Sequence, residues 1–289
     1  MPSQHLKRAF CVGTAVLKRK CHVVWESDLN PQPTATIIMQ LPAVGHSIDK
    51  SGARVQGMFA QIAPRYDLVN RILSGGIDIW WRRVAVNRAP PPTTGAMLDV
   101  CTGTGDLALA YAAHCQPGVR VVAADFCQPM LNCGIEKSKR IGTSSPGKGV
   151  AVEWIEADAM DLPFPDATFD LVTVAFGLRN IADTARGLAE MARVCKPGGR
   201  LAILEFSLPT NPVVRSGYLW YFRNVLPWIG NAVARNAADA YTYLNQSVEA
   251  FPSGTALADL IRAAGFDRVE IVPLTFGIAA ISLARRAHG

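Results

Sequence analysis

The stretch Met97-Leu98-Asp99-Val100-Cys101-Thr102-Gly103-Thr104-Gly105-Asp106-Leu107-Ala108 passes from an apolar run through an acid into a glycine-bracketed turn. Gly103 and Gly105 let the backbone turn sharply and approach a ligand with no Cβ in the way. The unpaired N–H groups of the helix expected from Asp106 point into the same space. Asp125 ends the next apolar run and Asp158 follows a third. An acid at the end of a second strand, about twenty residues beyond such a loop, can bond a ribose diol. Asp158, with Ala159 beside it, stands where an acid can accept a bond from an adenine amino group. Asp99 is different: beside the loop it would repel a pyrophosphate, and it suits a ligand bearing an ammonium and a sulfonium.

These residues need strand ends to hold them, and the pattern supplies them. Strands read at 96–101, 120–125, 151–156, 170–175 and 200–206, and helices at 106–114, 128–140 and 184–195. Strand–helix alternation implies a parallel sheet covered on both faces. Cys195-Lys196-Pro197-Gly198-Gly199 reads as a helix stop and a tight turn into the fifth strand. A helix through Leu257, Leu260, Ile261 and Ala264 ends at Gly265, before strands near 268–273 and 276–284. Those two are too close for a parallel crossover, so they pair antiparallel or part to different places in the sheet. Upstream, Val55, Met58, Phe59 and Ile62 recur at helical spacing until Pro64, a second helical piece runs to Gly75-Gly76, and Ile79–Val86 makes a third before Pro90-Pro91-Pro92. Trp81 in that third piece is read as core.

Gly103-Thr104-Gly105-Asp106-Leu107-Ala108 also satisfies the dinucleotide pattern GxGxxA. Asp99, the acid closing strand three and the strand pair after a Pro-Gly-Gly turn favour instead a class I S-adenosylmethionine methyltransferase: Rossmann-like, with a seven-stranded, mostly parallel sheet and an antiparallel last strand. Further segments carry a narrower likeness. Phe59-Ala60-Gln61-Ile62-Ala63-Pro64-Arg65-Tyr66-Asp67-Leu68-Val69-Asn70, Leu73–Asp78, Trp81-Arg82-Arg83, Ala175-Phe176-Gly177-Leu178-Arg179-Asn180 and Arg193–Leu201 through Ser207 resemble the ubiquinone/menaquinone C-methyltransferase (UbiE/MenG) family. The resemblance runs from about Val55 to Arg285. Asp78 stands where ubiquinone-type members have His, Ala175 replaces a frequent Ser, and Cys101-Thr102 replaces a commoner small pair. The Asp78 and Trp80-Trp81 variant is more similar to menaquinone-type members.

The resemblance implies S-adenosylmethionine-dependent methylation of a ring carbon of a prenylated quinol, demethylmenaquinol above all, with a benzoquinol of the ubiquinone pathway as the alternative acceptor. A quinone ring is electron-poor; a deprotonated quinol is a carbon nucleophile. A phenol has a pKa of roughly 10, and a nearby cation lowers such a value by about 1–3 units. Arg179 is the catalytic candidate for that role, with Asn180 and Tyr66 completing the hydrogen bonds. Asp99, Gly103, Thr104, Gly105, Asp125, Asp158, Ala159 and Ala175 are the residues expected around the cofactor. No metal is expected. Residues 208–251 are read as a substrate cover, rich in aromatics (Tyr218, Trp220, Tyr221, Phe222, Trp228, Tyr241, Tyr243, Phe251) and carrying Arg215, Arg223 and Arg235.

Composition narrows the remainder. The 289 residues are 49% hydrophobic and 18% charged, with net charge +6. Lys7, Arg8, Lys18, Arg19 and Lys20 hold most of that excess, so a basic nucleic-acid stripe on the folded part is not expected. Residues 1–50 read as a disordered basic tail, an over-long start with Met39 or Met58 as the true one, or a transit peptide. Residues 51–289 read as a single methyltransferase domain, its N-terminal helices at 51–92. The seven cysteines lack metal spacing and fit a reducing cytoplasm. The expected partners are the quinol, the inner face of a membrane met peripherally and, as one option, a second copy in a homodimer.

Overall fold

In the computed structural model, residues 50–142, 149–225 and 238–288 are described; the expectation for the tail, and Trp228 and Arg235 of the cover, lie outside them. Three helices come first: α1 (Gly52–Ile62), α2 (Tyr66–Ser74) and α3 (Ile77–Arg88), with a 3-10 turn at Ala63–Arg65. Pro64 sits in that turn, where its missing N–H costs nothing. Gly75, left-handed at φ 59°, ends α2.

The sheet then builds through β1 (Ala96–Val100), α4 (Asp106–Ala112), β2 (Arg120–Asp125), α5 (Gln128–Ile141), β3 (Val152–Glu156) and β4 (Phe169–Ala175). It continues through α6 (Thr184–Val194) and β5 (Cys195–Phe206). Next come α7 (Pro212–Trp220), running on as a π turn to Val225, and α8 (Ala238–Ala250). The chain closes with α9 (Thr255–Ala263), β6 (Phe266–Leu274) and β7 (Ala279–Arg286). Strand order is β3-β2-β1-β4-β5-β7-β6. β1 to β5 are parallel, and β7 lies antiparallel between β5 and β6. Of the two arrangements open to the last strands, they pair.

β1 is buried at every position, as a strand covered on both faces must be. Leu98, Val100, Val122, Val172 and Ile203 face one apolar layer with α6 and α9; Met97, Val121, Leu171 and Leu204 face the other with α3 and α4. Alternate residues of each strand thus feed opposite cores. One boundary differs from expectation. α6 stops at Val194, as the sequence implies, but Cys195 already pairs with Phe169 before the ladder resumes at Arg200 with Leu171. The Pro-Gly-Gly turn is therefore a bulge inside β5, with Gly198 at φ 73°.

Candidate active site

Two adjoining cavities lie at the carboxyl ends of β1 to β5. Asp99, Cys101, Thr102, Gly103, Thr104, Asp125, Asp158, Ala159, Ala175 and Asn180 all line the first. Asp99 is buried and accepts hydrogen bonds from Thr102 Oγ1 and Thr173 Oγ1, each at 2.6 Å. Asp125 accepts from the Gly103 N–H at 2.8 Å and the Cys127 N–H at 2.9 Å. Burial outweighs these bonds and raises both carboxyls to about 6. Asp158, just past the end of β3, is exposed and accepts from the Met160 N–H at 2.8 Å.

Gly105 is placed differently from expectation. It caps α4 at φ 77°, and a Cβ there would meet the Trp154 ring at 2.2 Å. It shapes the turn and does not line the cavity wall. Gly103, at φ 58°, does line it. Thr104 Oγ1 faces Asp67 Oδ1 at 2.6 Å and takes a bond from Lys137 Nζ at 3.1 Å. That contact opens an ionic web that no local pattern announces. Lys137 pairs with Asp67 at 2.5 Å and with Asp106 at 2.6 Å. Arg71 bridges Asp106 (2.8 Å) and Asp78, and Arg82 holds Asp78 at 2.5 Å. The web ties α2 and α3 to the glycine loop, and it fixes the buried Asp78 between two guanidiniums.

The second cavity, of about 450 Å³, is mostly apolar and aromatic. Val69, Leu73, Trp81, Tyr218, Tyr221, Tyr243 and Leu244 are among its walls. Trp81 is core as expected, yet it also faces this space, with its indole N–H on Thr275 Oγ1 at 2.8 Å. The cover segment is split in its duties. Tyr218, Tyr221 and Tyr243 line the cavity; Phe251 packs into the core beneath α6; Trp220 is exposed and Arg223 pairs with Glu249. Arg215 is exposed, while the side chains of Phe222 and Tyr241 lie outside the described residues.

Arg179 lines this second cavity, not the first. It is not the free cation the sequence led us to expect. Only 5% exposed, it pairs with Glu205 at 2.8 Å, donates to the Phe176 carbonyl at 2.5 Å and stacks over Phe206 at 5.3 Å. Its Nε and the Asn180 Oδ1 have no hydrogen-bond partner among the described residues. Such groups are costly unless something answers them. Tyr66 lines both cavities, and burial raises its phenol above the ordinary value against the pull of Asn70, Arg179 and Arg82. It is thereby kept a hydrogen-bond donor. Sequence reasoning missed Glu205, Arg82 and Lys50, the last on the first cavity's wall with its pKa lowered by burial and by Arg179. Glu205 could have been noticed as an acid ending an apolar strand.

Comparisons with known proteins show the family and the fold. Residues 47–286 match the model of the ubiE/COQ5 methyltransferase family. The chain is 48% identical to the demethylmenaquinone methyltransferase of Thermus thermophilus, over 79% of this chain and 100% of that one. It is 48% identical to the Deinococcus radiodurans enzyme of the same name (82% and 94% covered). It is 43% identical to a ubiquinone/menaquinone biosynthesis C-methyltransferase of Geobacter sp. strain M21 (82% and 97% covered). Among solved structures, a SAM-dependent methyltransferase from Aquifex aeolicus is similar at TM-score 0.51 and 19% identity, covering 71% of this chain and 89% of that one. A Haemonchus contortus phosphoethanolamine N-methyltransferase, solved with S-adenosylhomocysteine, reaches TM-score 0.54 at 16% identity (83% and 59% covered). These likenesses bear on the fold, which is that of the class I methyltransferases. From the match over most of its length, the chain belongs to the ubiE/COQ5 methyltransferase family.

Proposed function

We propose that this enzyme methylates the ring carbon of demethylmenaquinol, using S-adenosylmethionine. One observation carries the reading: a carboxylate-walled cavity at the glycine loop adjoins an aromatic cavity large enough for a quinol ring, and a buried arginine lines the second. The first cavity's donor set fits the methyl donor. Asp99 offers buried negative charge to a cation, Asp125 a buried acceptor to a ribose diol, Gly103 leaves room for a close approach, and Thr104, Asp158, Ala159 and Ala175 complete the wall. Gly105 would serve by holding the turn. When bound, S-adenosylmethionine supplies an electrophilic methyl group on a charged sulfur.

The protein's own task is to make the acceptor carbon nucleophilic and aim it. A ring hydroxyl near Arg179 Nε would meet a donor without a partner, and its anion would be stabilised there. Glu205 offsets part of the arginine's charge, so the stabilisation is directional, through Nε, more than a bare field. Asn180 Oδ1 can accept from a water that takes the phenolic proton, and Tyr66 can donate to an acceptor oxygen. Excluding bulk water strengthens each of these contacts. The remaining barrier falls by holding the reacting atoms roughly 3–3.5 Å apart.

A prenylated acceptor resides in the bilayer, and we place the enzyme at the inner membrane face as a peripheral protein. Leu68 and Ile72 on α2, and Ile79 and Trp80 on α3, are exposed on the two helices that contribute to the second cavity's wall, which supports that placement. No described helix is long and apolar enough to cross a membrane. The test is incubation with methyl-labelled S-adenosylmethionine and demethylmenaquinol, with and without reductant. Label should enter only the reduced acceptor; equal labelling of the oxidised quinone would refute the carbanion route. A parallel arm with 2-polyprenyl-6-methoxybenzoquinol reads the range of acceptors.

A further inference from the structure

Among the described residues, four line both cavities: Phe59, Tyr66, Arg82 and Phe176. Phe176 differs from the rest in how it is held. It stands just past the end of β4 with φ 56°, a left-handed backbone that a bulky side chain rarely adopts. Strain of this kind persists only where the surroundings over-determine it, and here they do. The Phe176 N–H donates to the Leu204 carbonyl at 2.8 Å, and its own carbonyl takes Arg179 Nη1 at 2.5 Å and Asn180 Nδ2 at 3.4 Å. Its ring is packed by Phe206 (4.6 Å between centroids) and Trp81 (5.9 Å), with the Arg82 guanidinium 5.6 Å from its centre.

We infer that Phe176 is a positioning residue of the methyl transfer: its ring is the septum between the two cavities, and with Phe59, Tyr66 and Arg82 it frames the aperture through which the methyl passes. The left-handed backbone is what makes both duties compatible. It turns the ring into the partition while the carbonyl of the same residue fixes Arg179 and Asn180. A ring at this point stops the acceptor from entering the first cavity and keeps water in the second from the sulfonium. This inference rests on the reading under Proposed function, since it needs a donor on one side and an acceptor on the other.

The experiment compares the full chain with Phe176→Leu, Phe176→Ala and Phe176→Gly. It measures turnover, KM for demethylmenaquinol, affinity for S-adenosylhomocysteine by calorimetry, and the thermal midpoint. Misplacing reacting groups by an ångström costs on the order of 100-fold, so Phe176→Ala should lose about that in kcat, and Phe176→Leu, which keeps bulk, about tenfold. S-adenosylhomocysteine affinity should stay within about threefold in all three, because the first cavity's carboxylates are untouched. Phe176→Gly relaxes the backbone and should fold at least as well as Phe176→Ala, yet turn over no faster; it separates the ring's role from stability. Turnover that simply followed the thermal midpoint, or an unchanged kcat in Phe176→Ala, would overturn the proposal and leave the quinol reading standing. A wild-type chain inert toward demethylmenaquinol would overturn that reading and this one together.

Discussion

The two cavities are built by different means. The first is floored by strand ends and the loops that follow them, with side chains of α1, α2 and α3 closing one side, so most of its shape belongs to the backbone. The second is made by side chains from α1, α2, α3, α7 and α8 and the turn before β7, brought together from across the chain. A backbone site tolerates little change in the residues that set its turns and much in those around it. A side-chain site is the reverse: each wall is replaceable, but the charged pair buried beside it is not.

Substitutions at the two sites should therefore fail in different ways. The largest effect is expected at the second cavity, from Arg179→Ala. It strands the buried Glu205 and should cost roughly 3–5 kcal/mol by chemical denaturation, as well as turnover. Arg179→Met with Glu205→Gln should recover much of the stability without the activity. If Arg179→Ala proved as stable as wild type, the ion pair would have no part in the contrast. Next is Gly105→Ala at the first cavity. A left-handed alanine forced against Trp154 should cost about 2–4 kcal/mol, and Trp154→Ala in the same chain should return part of it.

A third prediction sharpens the electrostatics of the first cavity. Asp99 and Asp125 have pKa values raised to about 6, so both gain charge as pH rises through that value. Affinity for S-adenosylmethionine should fall about tenfold from pH 7 to pH 5, measured by calorimetry, and level off above pH 7. The unliganded protein should show the opposite sign. A carboxyl whose folded pKa lies above its unfolded value stabilises the fold most when protonated, so these two lose their contribution as pH climbs from about 4 to about 6. A flat affinity profile would remove them from the binding site. The smallest effect is Tyr221→Phe, which deletes a hydrogen bond to the Leu73 carbonyl at 3.0 Å across the second cavity. It should cost about 1 kcal/mol, with a modest rise in KM for the acceptor and none for the cofactor.

The same contrast explains what could be read without coordinates. The glycine turn, Asp99, Asp125 and all seven strands follow from local pattern, because a buried parallel strand and the turn after it announce themselves within a dozen or so residues. Asp67 meeting Thr104, or Arg179 meeting Glu205, spans 37 and 26 residues, and no periodicity encodes such a meeting. Arg179 was recognised through its family motif, and its motif said nothing of the carboxylate that would claim it. Phe251 stayed open between cover and core for a related reason: an aromatic in a cover-like segment looks the same whether it faces the cavity or the core.

The position of β7 bears on how the enzyme is made. This strand, the last of the seven in sequence order, is an interior one, hydrogen-bonded to β5 on one side and β6 on the other. During synthesis, β5 must wait as an open edge while some seventy further residues emerge (206 to 279), and β6 has no neighbour to join until the final strand arrives. The sheet therefore closes only once β7 has been made. An unpaired edge held open that long is a template for other strands, so nascent chains stalled before β7 should depend on chaperones to remain in solution.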